Sequence, residues 1–236
     1  MPPLGDGFGD RHVMVDEALI GRLCEYAGVS DGDRVLEIGA GTGNLTEALL
    51  ERGATVAAVE KNRRFYEYLL KAFPKEKRLK LVCGDATRMA LPSHNKVVSN
   101  LPYSISKKIT ERLIDEGFEK AVLVYQREFA RKLVAAPLNT EYRYISVLAQ
   151  STCTVEILED VAPTAFQPQP NVWSSVVRLT PKAASDKGFL AFVKELFNLK
   201  NKKLRNIRMD VPKEHADKRP IELSPEQLRE VYLSLT

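Results

Sequence analysis

The sequence predicts a doubly wound α/β fold with a mostly parallel sheet, followed by a small helical domain at the C-terminal end. Short apolar runs alternate with helical patterns through most of the chain, which is typical of a parallel sheet covered by helices. A glycine-rich turn joins the first of these runs to a helix. Beyond residue 180 the composition becomes basic. We therefore predict one domain over residues 1–180 and a basic helical domain over residues 181–236, joined through a linker at 181–188.

Seven apolar runs predict the strands, at residues 34–38, 55–60, 79–83, 96–99, 121–125, 154–159 and 173–179. Helical patterns occupy residues 44–52, 62–73, 105–117, 129–134, 142–153, 189–199 and 224–235. Two of these helices carry helix-termination signals. Pro74 lies just past the end of one, and Gly117 is the end of another. Ser224, Pro225 and Gln227 predict an N-cap and a capping box for the last helix.

Composition limits the classes of protein that this chain can represent. Of its 236 residues, 44% are hydrophobic and 28% are charged, which is an ordinary globular balance. Its apolar runs are shorter than the roughly 18 residues of a membrane span, and residues 1–10 lack the features of a secretory signal. Because the cysteines and histidines are scattered, we expect reduced cysteines, no metal site and a cytoplasmic protein. These scattered residues are Cys24, Cys83, Cys153, His12, His94 and His215.

The turn after the first strand carries glycines at alternate positions, Gly39, Gly41 and Gly43. Such glycines permit a tight turn and let a ligand approach the backbone closely. The spacing is shorter than the G-x-G-x-x-G of dinucleotide-binding folds, and the chain has no G-x-x-x-x-G-K-[ST] loop. The turn therefore favours S-adenosylmethionine as the cofactor over a dinucleotide or a nucleoside triphosphate.

Acidic residues stand at the ends of the next two strands. Glu60 follows Gly39 by 21 residues and can accept hydrogen bonds from both ribose hydroxyls of a nucleoside. Asp85 can accept from an adenine amine, and the small Ala86 leaves room for the ring. Each acid alone has the plain alternative of a surface charge or a helix cap. Together with the glycine turn, at the ends of three successive strands, they predict a nucleoside-containing cofactor.

The tetrapeptide Asn100-Leu101-Pro102-Tyr103 follows the fourth strand, beside the same crevice. An adenine amine is a poor nucleophile because its lone pair is delocalised into the ring. The Asn100 side-chain oxygen and the Leu101 carbonyl can hold its two hydrogens, which orients the nitrogen towards a methyl donor. Pro102 stiffens the carbonyl before it, and Tyr103 offers a face for stacking the base. The plain alternative is a strand end with a proline turn and a core tyrosine.

All of the excess positive charge lies in the last quarter of the chain. Residues 181–236 hold 12 lysines and arginines and 8 acidic residues, while the rest of the chain is balanced. A run over residues 200–208 contains five cations and no acid, and such a run can neutralise phosphates. A solvated helix face is the plain alternative. The five cations are Lys200, Lys202, Lys203, Arg205 and Arg208.

These motifs resemble those of the KsgA-type ribosomal RNA adenine dimethyltransferases, particularly their archaeal members. The likeness covers nearly the whole chain. Asn-Leu-Pro-Tyr, together with Phe-x-Pro-x-Pro-x-Val at residues 166–172, is specific to this family and its close relatives. The other segments that carry it are residues 12–16, 37–43, 59–60, 84–86, 104–106 and 125–130.

The resemblance implies a Rossmann-like class I methyltransferase fold and dimethylation of two adjacent adenosines in a hairpin near the 3′ end of small-subunit (16S) rRNA. It implies small-subunit rRNA and the immature small ribosomal subunit as partners, with the basic helical domain gripping rRNA, and we expect a monomer. Phe166 matches an aromatic that packs near the target base opposite Tyr103, with a core phenylalanine as the alternative. The cofactor contacts that it implies are His12, Met14, Gly39, Glu60, Asp85 and Asn100.

The sequence departs from the family near its start, where Arg11 and Val13 replace the Gln and Phe of the family's Gln-x-Phe-Leu. The predicted C-terminal domain is also short. Two alternative functions share the sequence features: an Erm-like methyltransferase of large-subunit rRNA, and a ribosome-assembly factor with weak or no catalysis. Residues 125–130 and 142–147 favour the KsgA type over the Erm type, and the intact tetrapeptide favours activity.

Overall fold

The computed structural model describes residues 12–208 and 210–235. In this part of the chain the strands are β1 (Val13–Met14), β2 (Arg34–Ile38), β3 (Thr55–Glu60), β4 (Leu79–Cys83), β5 (Lys96–Asn100), β6 (Lys120–Gln126), β7 (Cys153–Val161), β8 (Phe166–Gln167) and β9 (Ser174–Pro181). The α-helices are α1 (Glu17–Ala27), α2 (Asn44–Glu51), α3 (Arg63–Ala72), α4 (Ser106–Glu116), α5 (Arg127–Val134), α6 (Tyr144–Thr152), α7 (Lys187–Asn198), α8 (Lys213–Ala216) and α9 (Pro225–Leu233).

Seven strands form one sheet in the order β4-β3-β2-β5-β6-β9-β7. The pairs from β4 to β6 are parallel, and β9 runs antiparallel to β6. The chain proceeds outwards from β2 to β4 and then returns to β5 on the other side of β2. The topological switch point therefore lies between β2 and β5, where ligands bind at the carboxyl ends of the strands. The predicted α/β fold class is confirmed.

The elements that the sequence pattern missed are short or lie before the first predicted strand. Helix α1 begins after Asp16, whose side chain accepts from Leu19 N, and it ends at Gly28 in the left-handed conformation. Both residues are visible cap signals in the sequence. Strands β1 and β8 have two residues each and pair only with each other, so no periodicity marks them.

Several predicted helix ends are confirmed. Gly117 closes α4 with a φ of 87°. At α9, Ser224 accepts from Gln227 N while the Gln227 side chain accepts from Ser224 N, which is the predicted capping box. The helix predicted over residues 142–153 is shorter, because Tyr144 begins it and Cys153 already belongs to β7.

The chain forms two compact units. The first comprises the described residues up to Ala130 together with Glu156–Thr180, and the second comprises Arg131–Val155 with the described residues from Pro181 onwards. Residues 131–155, which the sequence division assigns to the first domain, thus pack with the C-terminal helices. Fully buried Tyr142 shows why, since its hydroxyl donates to Leu223 O at 2.9 Å and its ring meets Phe197 edge-on.

None of the helices in the described ranges is long and apolar enough to cross a membrane.

Gly43 provides a test of packing beneath the glycine turn. It has a φ of 88°, and an added Cβ would lie 2.8 Å from Phe73 Cε2 and 2.9 Å from Leu69 Cδ2. We expect Gly43→Ala to lower the free energy of unfolding by about 2–4 kcal/mol, since it adds overpacking to backbone strain. Gly32→Ala is the matched control, because Gly32 has a φ of 84° and nothing within 4 Å of an added Cβ. If chemical denaturation showed that the two variants lose the same free energy of unfolding, this packing role of Gly43 would be contradicted.

Candidate active site

A cleft opens at the carboxyl ends of β2, β3, β4 and β5, within the first unit. Its lining includes the glycine turn, the two strand-end acids and the tetrapeptide, so the structure brings the predicted residues together at one edge of the sheet. The predicted residues in the lining are His12, Met14, Gly39, Gly41, Glu60, Asp85, Ala86, Asn100, Leu101, Pro102 and Tyr103.

The buried carboxylate of Glu60 accepts a hydrogen bond from the backbone of the glycine turn. It is 3% exposed, and its Oε2 accepts from Gly41 N at 3.0 Å while its Oε1 accepts from Asn62 N at 2.6 Å. A carboxylate has about four acceptor positions. Both oxygens therefore keep a lone pair for a ligand hydroxyl after binding the backbone.

Gly39 holds the turn against the tetrapeptide. Its φ is 83°, and an added Cβ would lie 3.3 Å from Pro102 Cδ and 3.8 Å from the Asn100 carbonyl oxygen. Ser99 Oγ also donates to Ile38 O at 2.6 Å, which ties the end of β5 to the end of β2. The cofactor turn and the tetrapeptide thus form one packed surface across the switch point.

Asp85 is held as a charged acceptor. Its Oδ1 accepts from Thr87 Oγ1 at 2.7 Å and from Thr87 N at 2.9 Å, and Lys61 Nζ lies 3.0 Å from its Oδ2. The Thr87 hydroxyl, then the Thr87 amide and the Lys61 ammonium, hold the pKa of Asp85 well below its usual range. The Lys61 side chain is two-thirds exposed, so a ligand amine can replace it at Oδ2 at little cost.

Lys61 and Phe65 are among the cleft residues that sequence reasoning missed. Lys61 follows Glu60 directly but belongs to no pattern. Phe65 lies in the first turn of α3, is 4% exposed and lines the cleft. Its spacing within α3 marks it only as a core position.

The amide orientation of Asn100 is set by its neighbour. Asn100 Nδ2 donates to the His12 carbonyl oxygen at 2.7 Å. Because a carbonyl can only accept, the nitrogen of the amide must face His12. The oxygen is then the acceptor that Asn100 retains for a ligand, as the tetrapeptide hypothesis requires.

Tyr103 is held by a hydrogen bond and by a ring contact. Its hydroxyl lies 2.7 Å from Ser174 Oγ, and its ring centroid lies 5.5 Å from that of His12 at a tilt of 35°. Burial raises the pKa of Tyr103, against the hydrogen bond with Ser174, so the side chain stays a neutral phenol. His12 is itself anchored, since its Nδ1 lies 2.7 Å from Pro168 O.

Phe166 is the one predicted site residue of the first unit that does not line the cleft. It is 1% exposed, belongs to the hydrophobic core and pairs with Met14 between β8 and β1. This position fits the core alternative, and contact with a base would require the segment to move. The role of Phe166 in packing near the target base therefore stays a prediction.

Near the start of the chain, Val13 lines the cleft and pairs with Gln167. Arg11 lies outside the described residues.

The basic run of the second unit is partly neutralised by acids from elsewhere in the sequence. Lys203 Nζ and Arg205 Nη1 lie 2.7 and 3.0 Å from Asp217 Oδ1, and Arg208 lies 3.3 Å from Asp210. Lys200 and Lys202 have no carboxylate partner among the described residues. The run contains a short 3₁₀ turn at Leu204–Asn206 rather than an α-helix face.

No group of His, Cys, Asp or Glu in the described ranges is arranged to hold a metal ion. Cys24 and Cys153 are buried and Cys83 is exposed, and all three are free thiols.

Buried Glu37, at the foot of the cleft, makes stability depend on pH. Burial raises its pKa from 4.5 to about 8, although Thr46 Oγ1 donates to it at 2.5 Å. Between these values the unfolded chain loses the proton and the folded chain keeps it, so the free energy of unfolding falls as pH rises. We expect Glu37→Gln to lose this dependence, and denaturation at about pH 5 and about pH 8 measures it. Glu67→Gln on the surface of α3 is the control, and the same profile in wild type and Glu37→Gln would contradict the assignment.

Comparison with known proteins finds a matching family and relatives that cover most of the chain. The family described as ribosomal RNA adenine dimethylase matches residues 8–224. A probable ribosomal RNA small subunit methyltransferase A of Methanococcoides burtonii is 36% identical, over 95% of this chain and 91% of the relative. A protein of the same description in Halobacterium salinarum is 41% identical over 84% of this chain and 72% of the relative.

Two solved structures share the fold. A dimethyladenosine transferase from Plasmodium falciparum has a TM-score of 0.83 at 24% identity and covers 95% of this chain and 97% of its own. The 23S rRNA methyltransferase ErmE has a TM-score of 0.73 at 23% identity, over 94% and 99% of the two chains. With the family match and the identities to the archaeal relatives, the conclusion is direct: this chain belongs to the ribosomal RNA adenine dimethylase family.

Proposed function

We propose that this protein transfers methyl groups from S-adenosylmethionine to the N6 amines of two adjacent adenosines in a hairpin near the 3′ end of small-subunit (16S) rRNA. The observation that carries the proposal is the Asn100 amide, oriented by the His12 carbonyl and lying beside a cleft with acceptors for a nucleoside. Membership of the adenine dimethylase family supports the same reaction.

The residues of the cleft fit the cofactor. Glu60 keeps acceptor capacity for ribose hydroxyls, and Asp85 stays charged and can accept from an adenine amine. Gly39 and Gly41 have positive φ values and leave the backbone of the turn open to a ligand. Ala86 and Phe65 supply apolar surface for a base. When bound, S-adenosylmethionine supplies an electrophilic methyl group.

The residues on the acceptor side orient the substrate amine. Asn100 Oδ1 and the Leu101 carbonyl accept its two hydrogens, which turns the nitrogen lone pair out of conjugation with the ring. Tyr103 stacks on the base, and its hydroxyl bond to Ser174 keeps the ring in place. The amine releases its proton after it has become cationic, so the site contributes positioning and needs no strong base.

The archaeal relatives favour small-subunit rRNA as the substrate. They are described as probable small-subunit methyltransferases at 36–41% identity. ErmE, a 23S rRNA methyltransferase, is 23% identical, and a likeness at that identity supports the shared fold and not the large-subunit alternative. The proposed substrate implies action in the cytoplasm. A monomer is sufficient, since one chain carries the whole proposed active site.

A direct assay tests the proposal. Purified protein is incubated with labelled S-adenosylmethionine and immature small subunits, and the modified adenosines are mapped by mass. We expect dimethylation of two adjacent adenosines near the 3′ end of small-subunit rRNA. Incorporation only into large-subunit rRNA would favour the Erm-like alternative, and cofactor binding without transfer would favour an assembly factor.

A further inference from the structure

The chain has a single tryptophan, Trp173, and it is exposed beside the acceptor side of the active site. It keeps 45% of its surface exposed. The next residue, Ser174, lies 2.7 Å from the hydroxyl of Tyr103, the proposed stacking ring for the target base. Much of the indole surface is therefore open to solvent, and Trp173 directly precedes Ser174, which contacts the active-site residue Tyr103.

The sheet places this tryptophan at the same edge as the tetrapeptide. Asn100 is aligned with Val124 between β5 and β6, and Gln126 is aligned with Ser174 between β6 and β9. Because β9 is antiparallel, its first residue lies where β5 and β6 end. Two strand spacings, roughly 10 Å, separate the ends of β5 and β9. A nucleotide next to the target adenosine can span this distance.

Arg127 holds the indole in place. Its guanidinium carbon lies 5.6 Å from the centre of the Trp173 ring, and its backbone N–H donates to Trp173 O at 2.9 Å. Asp160 lies 3.7 Å from the guanidinium and accepts from Ser175 Oγ at 2.6 Å. The charges of Arg127 and Asp160 offset each other, so the electrostatic attraction of this surface for phosphate is weak. The surface can instead bind a base by stacking.

We propose that Trp173 and Arg127 form a stacking platform for an unpaired nucleotide that flanks the target adenosine. The inference rests on the proposed function, because it takes RNA as the substrate. Single-stranded RNA is held by aromatic rings and arginine planes on which bases stack. A protein partner is less favoured, because the segment between β8 and β9 exposes two large hydrophobic side chains, Val172 and Trp173, which is far below the area of a stable interface.

Intrinsic fluorescence reads this platform directly, since Trp173 is the only tryptophan. The probes are a hairpin RNA with unpaired adenosines in its loop and a blunt, fully paired duplex of equal length. We expect saturable quenching of the emission by the hairpin and little by the duplex. If the hairpin binds, as measured by anisotropy of a labelled RNA, and the emission does not change, the proposal is overturned.

Variants separate stacking from charge. We expect Trp173→Ala to raise KM for rRNA roughly 5- to 100-fold while kcat and the Kd for the cofactor stay near wild type. Trp173→Phe keeps a ring and should recover most of the loss. Leu70→Ala is the matched control, because Leu70 is 47% exposed on α3 and does not line the cleft. A wild-type KM in Trp173→Ala would overturn the platform.

Salt dependence gives a second readout. Trp173 carries no charge, so Trp173→Ala should leave the slope of log KM against log salt unchanged. The double variant Lys200→Ala with Lys202→Ala should reduce that slope, since it removes two phosphate-neutralising groups. A reduced slope in Trp173→Ala would contradict stacking. If Trp173→Ala does not fold, the Phe variant and the titration of the native protein decide the question.

Failure of this inference is distinct from failure of the proposed function. If the wild-type protein methylates no small-subunit rRNA, the proposed function fails. Quenching by unpaired RNA then still supports the platform, and its absence overturns it. If the wild-type protein is active and Trp173→Ala matches it in KM, only the platform is wrong.

Discussion

Asn100→Ala is expected to lower kcat roughly 100- to 1000-fold at saturating cofactor and rRNA, the magnitude found when one preorganised polar contact to a reacting group is removed. The variant loses the acceptor that orients the amine, so the nitrogen lone pair stays delocalised in the base. Single-turnover methyl transfer to immature small subunits measures the effect. The overall fold should persist, because the Asn100 side chain makes one hydrogen bond, to His12 O.

The tether to His12 requires a separate control, because its loss also loosens the segment before α1. Asn44→Ala removes a similar tether, since Asn44 Nδ2 donates to Met14 O at 2.8 Å. We expect this variant to weaken cofactor binding modestly and to keep most of its kcat at saturation. If Asn100→Ala behaved like Asn44→Ala, the amide would be a structural tether and the account of amine orientation would be wrong.

Glu60→Gln is expected to raise the Kd for S-adenosylmethionine roughly 10- to 100-fold, the value of a hydrogen bond to a charged group. Both Glu60 oxygens accept backbone N–H groups, from Gly41 and Asn62. Glutamine has one oxygen, so its NH₂ must face one of these donors. The substitution therefore disturbs the turn and removes an acceptor for the ribose, and calorimetric titration with the cofactor measures both effects together.

The control for Glu60→Gln is Glu67→Gln. Glu67 is a half-exposed carboxylate on α3 that pairs with Arg63 at 2.9 Å. We expect its Kd for the cofactor to match wild type. An unchanged Kd in Glu60→Gln would mean that the ribose is bound elsewhere in the cleft.

Most of the cofactor site could be predicted from the sequence because its parts stand at the ends of consecutive parallel strands. The glycine turn, Glu60 and Asp85 each follow a recognisable apolar run, and parallel strands bring their carboxyl ends to one edge. Lys61 and Phe65 could not be singled out, because one is a lone surface cation and the other has the spacing of a core residue.

The basic run shows the opposite case. Residues 200–208 contain no acid, yet Asp217 and Asp210 pair with Lys203, Arg205 and Arg208. Charge counted along a segment therefore overstates the charge that the folded surface presents. The role of this run in gripping rRNA remains a prediction, with Lys200 and Lys202 its strongest candidates.

The sequence by itself determined the sheet, the glycine turn and the tetrapeptide, because these depend on local periodicity and on residues close together in the chain. Only the tertiary structure decided the amide orientation of Asn100, the Tyr103–Ser174 bond and the burial of Phe166. It also decided that residues 131–155 pack with the C-terminal helices and that the Arg127 guanidinium lies over the Trp173 ring. The physical reason is that most of these contacts join residues dozens of positions apart, and packing of the whole core selects such pairs without leaving a local signal.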